Sequence, residues 1–219
     1  MNNAYVVAAL RTAGGRRGGL LANWHPVDLG AQVINALLKE IDCPPDVIED
    51  VIMGSVSQIG EQAMNVARNI VLASQLPESV PATSVDRQCG SSQQALHFAA
   101  QAVMSGSMDV VVAGGVESMT RTPMFSTTTL PQNNGMGHYM SPNLQKRYPN
   151  VEFSQFNGAE MLVKRYGLSR RELDEFALES HRRAAEAHKH DAFKNEIVSI
   201  EVKDALGNLT GEPHDADQG

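Results

Sequence analysis

The run Asp109-Val110-Val111-Val112-Ala113-Gly114 is apolar at every position after the first. A strand of that kind suits the centre of a parallel sheet, where helices cover both faces. The preceding sequence supplies the alternation that such a sheet needs. Residues 5–10 form a short apolar run compatible with a buried strand, and a glycine-rich stretch follows it. Residues 27–41 read as a helix with Leu29, Val33, Ala36, Leu37 and Ile41 on one face. Pro26 and Asp28 give its start signals and Cys43-Pro44-Pro45 its stop. Residues 48–56 read as a second strand, and 64–74 as a second helix punctuated by Pro77. Residues 81–85 open with proline, are partly β-branched, and read as a third strand entering the interior. After them Ala95, Phe98, Ala99, Ala102 and Val103 recur at helical spacing, up to about Ser105-Gly106. Strand alternating with helix predicts an α/β layer with a mostly parallel sheet and helices on its faces.

The character changes from about Thr120. Residues 120–158 carry many Pro, Asn, Gly and Ser with weak periodicity, which reads as an excursion from the core. Two helices follow, at 159–166 and from 169 to about 190, the second with Ser169 and Glu172 in capping-box spacing. Residues 197–202 alternate and are placed back in the sheet. The ending Glu212-Pro213-His214-Asp215-Ala216-Asp217-Gln218-Gly219 is polar and acidic, with no helix or strand signal.

The segment Val85-Asp86-Arg87-Gln88-Cys89-Gly90-Ser91-Ser92-Gln93-Gln94-Ala95-Leu96 places a cysteine where a strand turns into a helix. Free N–H groups and the macrodipole at a helix start favour an anion, and thiolate is the reactive form of cysteine. Gly90, Ser91 and Ser92 are small enough to let a carbonyl carbon approach. A buried structural cysteine is the competing reading of the local pattern. Cys43, between a helix end and two prolines, reads as structural.

The segment resembles the acyl-accepting cysteine block of the thiolases, enzymes that transfer acyl groups between coenzyme A thioesters. Cys89, Gly90, Ser91, Ser92, Ala95 and Leu96 follow the family spacing, while Asp86 stands where Asn or Ser is usual and Gln93 replaces a commoner apolar residue. Four further blocks follow family order. Arg11-Thr12-Ala13-Gly14-Gly15 is similar to the family's Arg-Thr-Pro-x-Gly loop. Gln62-Ala63-Met64-Asn65-Val66-Ala67-Arg68 resembles a segment near the family's subunit interface and active site. Gly114-Gly115-Val116-Glu117-Ser118-Met119-Thr120-Arg121-Thr122-Pro123 and Ser154-Gln155-Phe156-Asn157-Gly158-Ala159-Glu160 complete the set.

The resemblance implies a thiolase-like N-terminal half with a loop-domain insertion. The expected organisation is an α/β core at 1–119, a loop domain on the coenzyme A side at 120–195, and a return strand and tail at 196–219. It implies Cys89 as the catalytic nucleophile that carries the acyl-thioester intermediate. Gln155 and Phe156 occupy positions that touch the acyl chain in some thiolases. Ser154-Gln155-Phe156 replaces the His-Met-Gly of biosynthetic acetoacetyl-type enzymes, which favours a degradative or broader-chain enzyme. In the family a second half repeats the fold and supplies the base-like histidine and a second cysteine. The chain is therefore expected to be an N-terminal half, incomplete for turnover alone, with a large apolar patch exposed. The implied activity is acyl-CoA acyltransfer: thiolysis of a 3-ketoacyl-CoA, or the reverse condensation. The alternative is a non-catalytic acyl-CoA-binding or split-thiolase subunit that needs a partner chain.

No permanently bound cofactor and no metal are expected, with coenzyme A as a substrate. A homo-oligomer, dimer or tetramer, is expected of the complete enzyme. The 219 residues carry a net charge of −7, which argues against nonspecific nucleic-acid binding. No apolar run reaches membrane-spanning length. Two cysteines form no disulfide framework, and a reducing cytoplasm suits a working thiol. Among the histidines, His97 lies eight residues along the Cys89 helix, roughly 12 Å further on. His181, His188 and His190 fall on a charged helix, and His138 is a loop residue. The glycines from 14 to 19 lack the Gly-Lys-Ser/Thr ending of a phosphate loop and read as a tight turn. Lys146-Arg147, Lys164-Arg165, Arg170-Arg171 and Arg182-Arg183 form basic pairs in or near the expected loop domain, where a coenzyme A phosphate would need a partner.

Overall fold

The computed structural model describes residues 3–218. Its core is a parallel three-stranded sheet built from β2 (Asp50–Gly54), β3 (Ala82–Val85) and β4 (Val111–Gly115), in the order β3-β2-β4. The preceding short strand, β1, is Arg11–Thr12. Helices α1 (Pro26–Glu40), α2 (Val66–Ala73) and α3 (Ser91–Ser105) connect the strands. The sheet separates two apolar layers. Val51 and Met53 face α1 and α2 with Val27, Ile34, Leu38, Val66, Ile70 and Val71. Ile52 faces the other way, against Ala95 and Ala99 of α3. The period-two alternation of β2 thus buries both faces, and fully burying each such side chain contributes about 1.5–3 kcal/mol.

β2, rather than β4, is the strand covered on both sides. β4 is an edge of this sheet, and of its five residues Val112 alone is fully buried. An apolar run records capacity for burial, while sheet order decides which strand is central. The face of α1 also differs from expectation. Val27, Gly30, Ala31, Ile34 and Leu38 are buried, whereas Leu29, Val33, Ala36 and Leu37 are only half-buried. The helix is apolar around most of its circumference, so periodicity could not choose. Gly30 decides: a Cβ there would lie 2.6 Å from Ile70 Cδ1, so α1 approaches α2 most closely on that side.

Residues 5–10 do not form the expected strand. Pairing begins at Arg11–Thr12, which runs parallel to β5 (Ile197–Val198), while Tyr5, Val6 and Val7 are more than 70% exposed. An apolar run becomes a strand only where a sheet edge supplies partners for its N–H and C=O groups.

Beyond β4, the weakly periodic stretch holds two short helices, α4 (Ser126–Asn133) and α5 (Pro142–Arg147). Residues up to 134, together with 196 onward, form one compact unit, and 135–195 form a second. Residues 120–134, read above as the opening of the excursion, therefore belong with the sheet unit.

The second unit contains α5, α6 (Gln155–Tyr166) and α7 (Arg170–Lys189). Ser154 caps α6 through the Asn157 N–H, and Ser169 with Glu172 forms the expected capping box of α7. The polar face of α7 is laced by Arg170–Asp174, Arg171–Glu175, Arg182–Glu179 and Arg183–Glu179 pairs. Two arginines hold the Glu179 carboxyl well below the ordinary range.

The tail is ordered, against the sequence expectation. β6 (Ile200–Lys203) and β7 (Leu209–His214) form an antiparallel hairpin, so Glu212, Pro213 and His214 end a strand. His214 is buried and its Nε2 lies 3.1 Å from the Ala13 carbonyl oxygen. Asp217 accepts two hydrogen bonds from Arg11, at 2.6 and 3.1 Å, and one from the Gly14 N–H at 2.6 Å. Gln218 donates its N–H to Gly14 O and accepts from Leu20 N. The glycine-rich turn is thereby tied down by polar residues more than 190 positions away, which no local pattern signals.

Replacing Ile70 by alanine removes the group that fits against Gly30 and leaves a cavity in the larger apolar layer. Urea unfolding is expected to show a loss of about 2–5 kcal/mol. A second outcome concerns Glu61, which pairs with Arg121; hydrogen bonding from that guanidinium lowers the carboxyl below its ordinary value of 4.5. A depressed carboxyl stabilises the fold above its unfolded value, and that contribution is lost as pH falls through the folded one. Glu61→Gln is therefore expected to be less stable than the parent at neutral pH. The gap should close as pH drops below 4.5, followed by thermal melts over a pH series.

Candidate active site

The register of the sheet sets the site. Gly54 pairs with Val85 and with Gly115, so β2, β3 and β4 end level. Three loops therefore leave the same carboxyl edge, which in open α/β sheets is where ligands bind. α3 crosses this edge in close contact with the strands. A Cβ on Gly54 would overlap the backbone of Ser91 and Ser92, and one on Gly115 would overlap the Ser92 side chain. Only glycine at both strand ends lets the first turn of α3 lie there.

Cys89 lies in the turn between β3 and α3. Gly90 is the N-cap of α3, so Cys89 precedes the cap instead of opening the helix, as the sequence had placed it. Its thiol is free and exposed. The turn is shaped by its neighbours. Gln88 adopts a left-handed conformation at φ +49, which costs a non-glycine residue about 1 kcal/mol or more. The Asp86 carboxylate accepts from the Gln88 N–H at 2.8 Å, and Ser91 Oγ donates to Gln88 O at 2.6 Å while accepting from Arg87 N at 2.9 Å. Arg87 Nε donates to Gln94 Oε1 at 3.1 Å, tying the turn to the end of the first turn of α3. Asp86 is thus a working part of the turn, and Gln93 is an exposed residue of α3.

The loops after β2 and β4 are stapled to each other beside this turn. Glu117 accepts from Val56 N, Ser57 N and Gln62 Nε2, and the fully buried Gln62 accepts from Ser118 N. Ser55 N–H donates to Val85 O, and Val116 N–H donates to Gly54 O. Arg121 binds Glu61 and also donates to Ala22 O at 3.2 Å. The Glu117, Gln62–Ser118 and Arg121–Glu61 pairings join positions about 60 residues apart. The sequence blocks contained Gln62 and Glu117 but gave no sign that they meet.

Within the sheet unit the histidines have other tasks. His97 is exposed on α3. His25 caps α1 by accepting from Val27 N and lies 3.8 Å from Glu61, and His214 is committed to Ala13. His25 and His214 went unassigned in the sequence reading, and each serves the fold. Cys43 is half-buried against the larger apolar layer, in line with a structural role.

In the second unit, Gln155 and Phe156 open α6, with Phe156 65% exposed. His181, His188 and His190 are exposed, as is His138, whose ring packs on Tyr139 at 4.3 Å. Four of the arginines considered for phosphate binding are already paired along α7. Among the described residues no group of three or more His, Cys, Asp or Glu is arranged to hold a metal ion, and no helix is long and apolar enough to cross a membrane.

A family model described as "Thiolase, N-terminal domain" matches residues 4–217. The chain is 47% identical over 205 residues to a steroid 3-ketoacyl-CoA thiolase, FadA6, of Mycobacterium tuberculosis, covering 93% of this chain and 50% of that one. It is 39% identical to a 3-ketoacyl-CoA thiolase of Bacillus subtilis, covering 92% of this chain and 50% of the relative. The structure resembles that of an acetyl-CoA acetyltransferase of Bacillus anthracis, with a TM-score of 0.83 and 31% identity, over 100% of this chain and 55% of the other. The chain thus spans about half the length of the relatives it matches. Level strand ends, a cysteine turn seated against them and a match along almost the whole length lead to one conclusion: the chain belongs to the thiolase family and corresponds to its N-terminal domain.

Proposed function

We propose that this chain supplies the nucleophilic half of an acyl-CoA thiolase. The observation that carries the reading is the free, exposed Cys89 thiol on a turn held at the carboxyl edge of the parallel sheet, in a chain of this family. The thiolate attacks the keto carbon of a 3-ketoacyl-CoA. The bond from that carbon to the acetyl methylene then breaks, acetyl-CoA leaves after taking up a proton, and the acyl group stays on sulfur as a thioester. Coenzyme A takes the acyl group from Cys89, and the same steps run backwards as condensation. The Cys89 N–H is a candidate oxyanion donor, with further donors from other parts of the complete enzyme.

The groups that move protons are assigned to the second half that the relatives' greater length accommodates. Gln155 and Phe156 are proposed to meet the acyl chain, and the 135–195 unit to lie on the coenzyme A side. Lys146, Arg147, Lys164 and Arg165 are put forward as candidates for its phosphates, since among the described residues none is paired with a carboxylate as the α7 arginines are. The names of the relatives support 3-ketoacyl-CoA as the substrate class. The assembled enzyme is proposed to be a cytoplasmic homo-oligomer.

The test is acyl transfer from a 3-ketoacyl-CoA to coenzyme A by this chain extended with, or mixed with, a second half from a relative. Cys89→Ser is expected to reduce turnover by on the order of a thousandfold or more, with an unchanged circular dichroism spectrum. Intact-mass analysis should show an acyl adduct on the parent protein and none on the variant. Normal turnover by the variant, or an adduct at Cys43, would refute the assignment. Coenzyme A binding with no adduct on any form would favour the acyl-CoA-binding subunit instead.

A further inference from the structure

Glu117 is half-buried, and among the described residues no cation pairs with it as Arg121 does with Glu61 or Arg11 with Asp217. Its carboxylate instead faces three donors, Val56 N at 2.7 Å, Gln62 Nε2 at 2.9 Å and Ser57 N at 3.3 Å. Gln62 is 0% exposed and committed at both ends of its amide. Its nitrogen also donates to Ser57 O at 3.0 Å, and its oxygen accepts from Ser118 N at 2.7 Å. An acceptor-only group fits this environment, and a group that must donate does not.

The pair acts on the frame around Cys89. Ser55, immediately before the segment that Glu117 grips, donates its N–H to Val85 O, the last residue of β3 before the cysteine turn. Val116, immediately before Glu117, donates to Gly54 O, and Gly54 and Gly115 are the two surfaces against which the first turn of α3 rests. A shift of the 55–57 backbone therefore reaches the turn from its β3 side and its α3 side together.

We infer that Glu117, fixed by Gln62, is a positioning residue for Cys89: it sets where the cysteine turn stands by clamping the loop after β2 to the loop after β4. The inference rests on Cys89 being the reactive thiol. Glu117 acts through Val56, Ser57 and Gln62, to which its hydrogen bonds run, and not by a hydrogen bond to Cys89.

The experiment is alkylation of the intact chain by iodoacetamide, followed at Cys89 and Cys43 separately by peptide mass spectrometry over a range of pH. Glu117→Gln keeps the shape but places an amide NH₂ against N–H donors, either at the backbone or at Gln62. Cys89 alkylation is expected to change by about fivefold, the scale of one unmade hydrogen bond. Its pH profile should be displaced, while Cys43 is unaffected. Glu117→Asp, which keeps an acceptor-only carboxylate on a shorter stem, is expected to restore part of the parental profile. It carries the comparison if the glutamine variant fails to fold.

An unchanged Cys89 profile in the variants overturns the inference. So does parallel acceleration of both thiols with a lowered melting temperature, which would make the pair a general brace of the fold. Alkylation needs no acyl-CoA, so a failure of the acyl-transfer reading would show in the adduct experiment and not in this one.

Discussion

The close approach of α3 to the ends of β2 and β4 constrains everything else at this edge of the molecule. Gly54 and Gly115 leave no side chain between the strands and Ser91-Ser92, so the helix start cannot move without the sheet moving. That contact forces the chain to cover the distance from Val85 to Ser91 in one tight turn, and the turn needs a left-handed residue. Gln88 takes that conformation, and Asp86 and Ser91 supply hydrogen bonds that hold it there. Cys89 is what such a turn leaves pointing outward. Its exposure thus follows from sheet register and glycine placement before any chemistry is considered.

Polar side chains then do what the apolar layers cannot, because the loops at this edge have no core of their own. Glu117 and Gln62 join the loops after β4 and β2, Arg121 and Glu61 join the same two segments further out, and Asp217 ties the tail to Arg11 of β1 and to Gly14 in the glycine-rich turn. Each link is partly shielded and makes several hydrogen bonds, the circumstance in which charged groups contribute most reliably. The exposed pairs along α7 are of a different kind, because solvent surrounds both partners and screens them.

These two kinds of interaction explain what was legible in the sequence. Local chemistry could be read directly: the capping box at Ser169 and Glu172, the stop after Ser105 at the left-handed Gly106, the three strands of the sheet and the cysteine at a strand-to-helix turn. Features set by partners distant in the chain could not. Among the described residues no strand edge pairs with the apolar residues 5–7, which lie exposed; β4 is an edge although its sequence is apolar throughout; and the tail pairs as a hairpin without an alternating pattern. The candidate site divides in the same way. Cys89 was visible from its neighbours, while the Glu117–Gln62 clamp exists only after β2 and β4 have aligned.

The apolar surface left at this edge bears on how the half-length match should be understood. Leu96 and Phe98 on α3 are 48% and 42% exposed, on the same helix whose Ala95 and Ala99 face the sheet. α3 therefore presents large side chains outward and small ones inward, the reverse of a helix that ends a protein against water. A helix with that distribution is suited to lying between two layers, with its small face on one sheet and its large face against another. In such a position the cysteine turn would stand between the layers rather than on an outer surface.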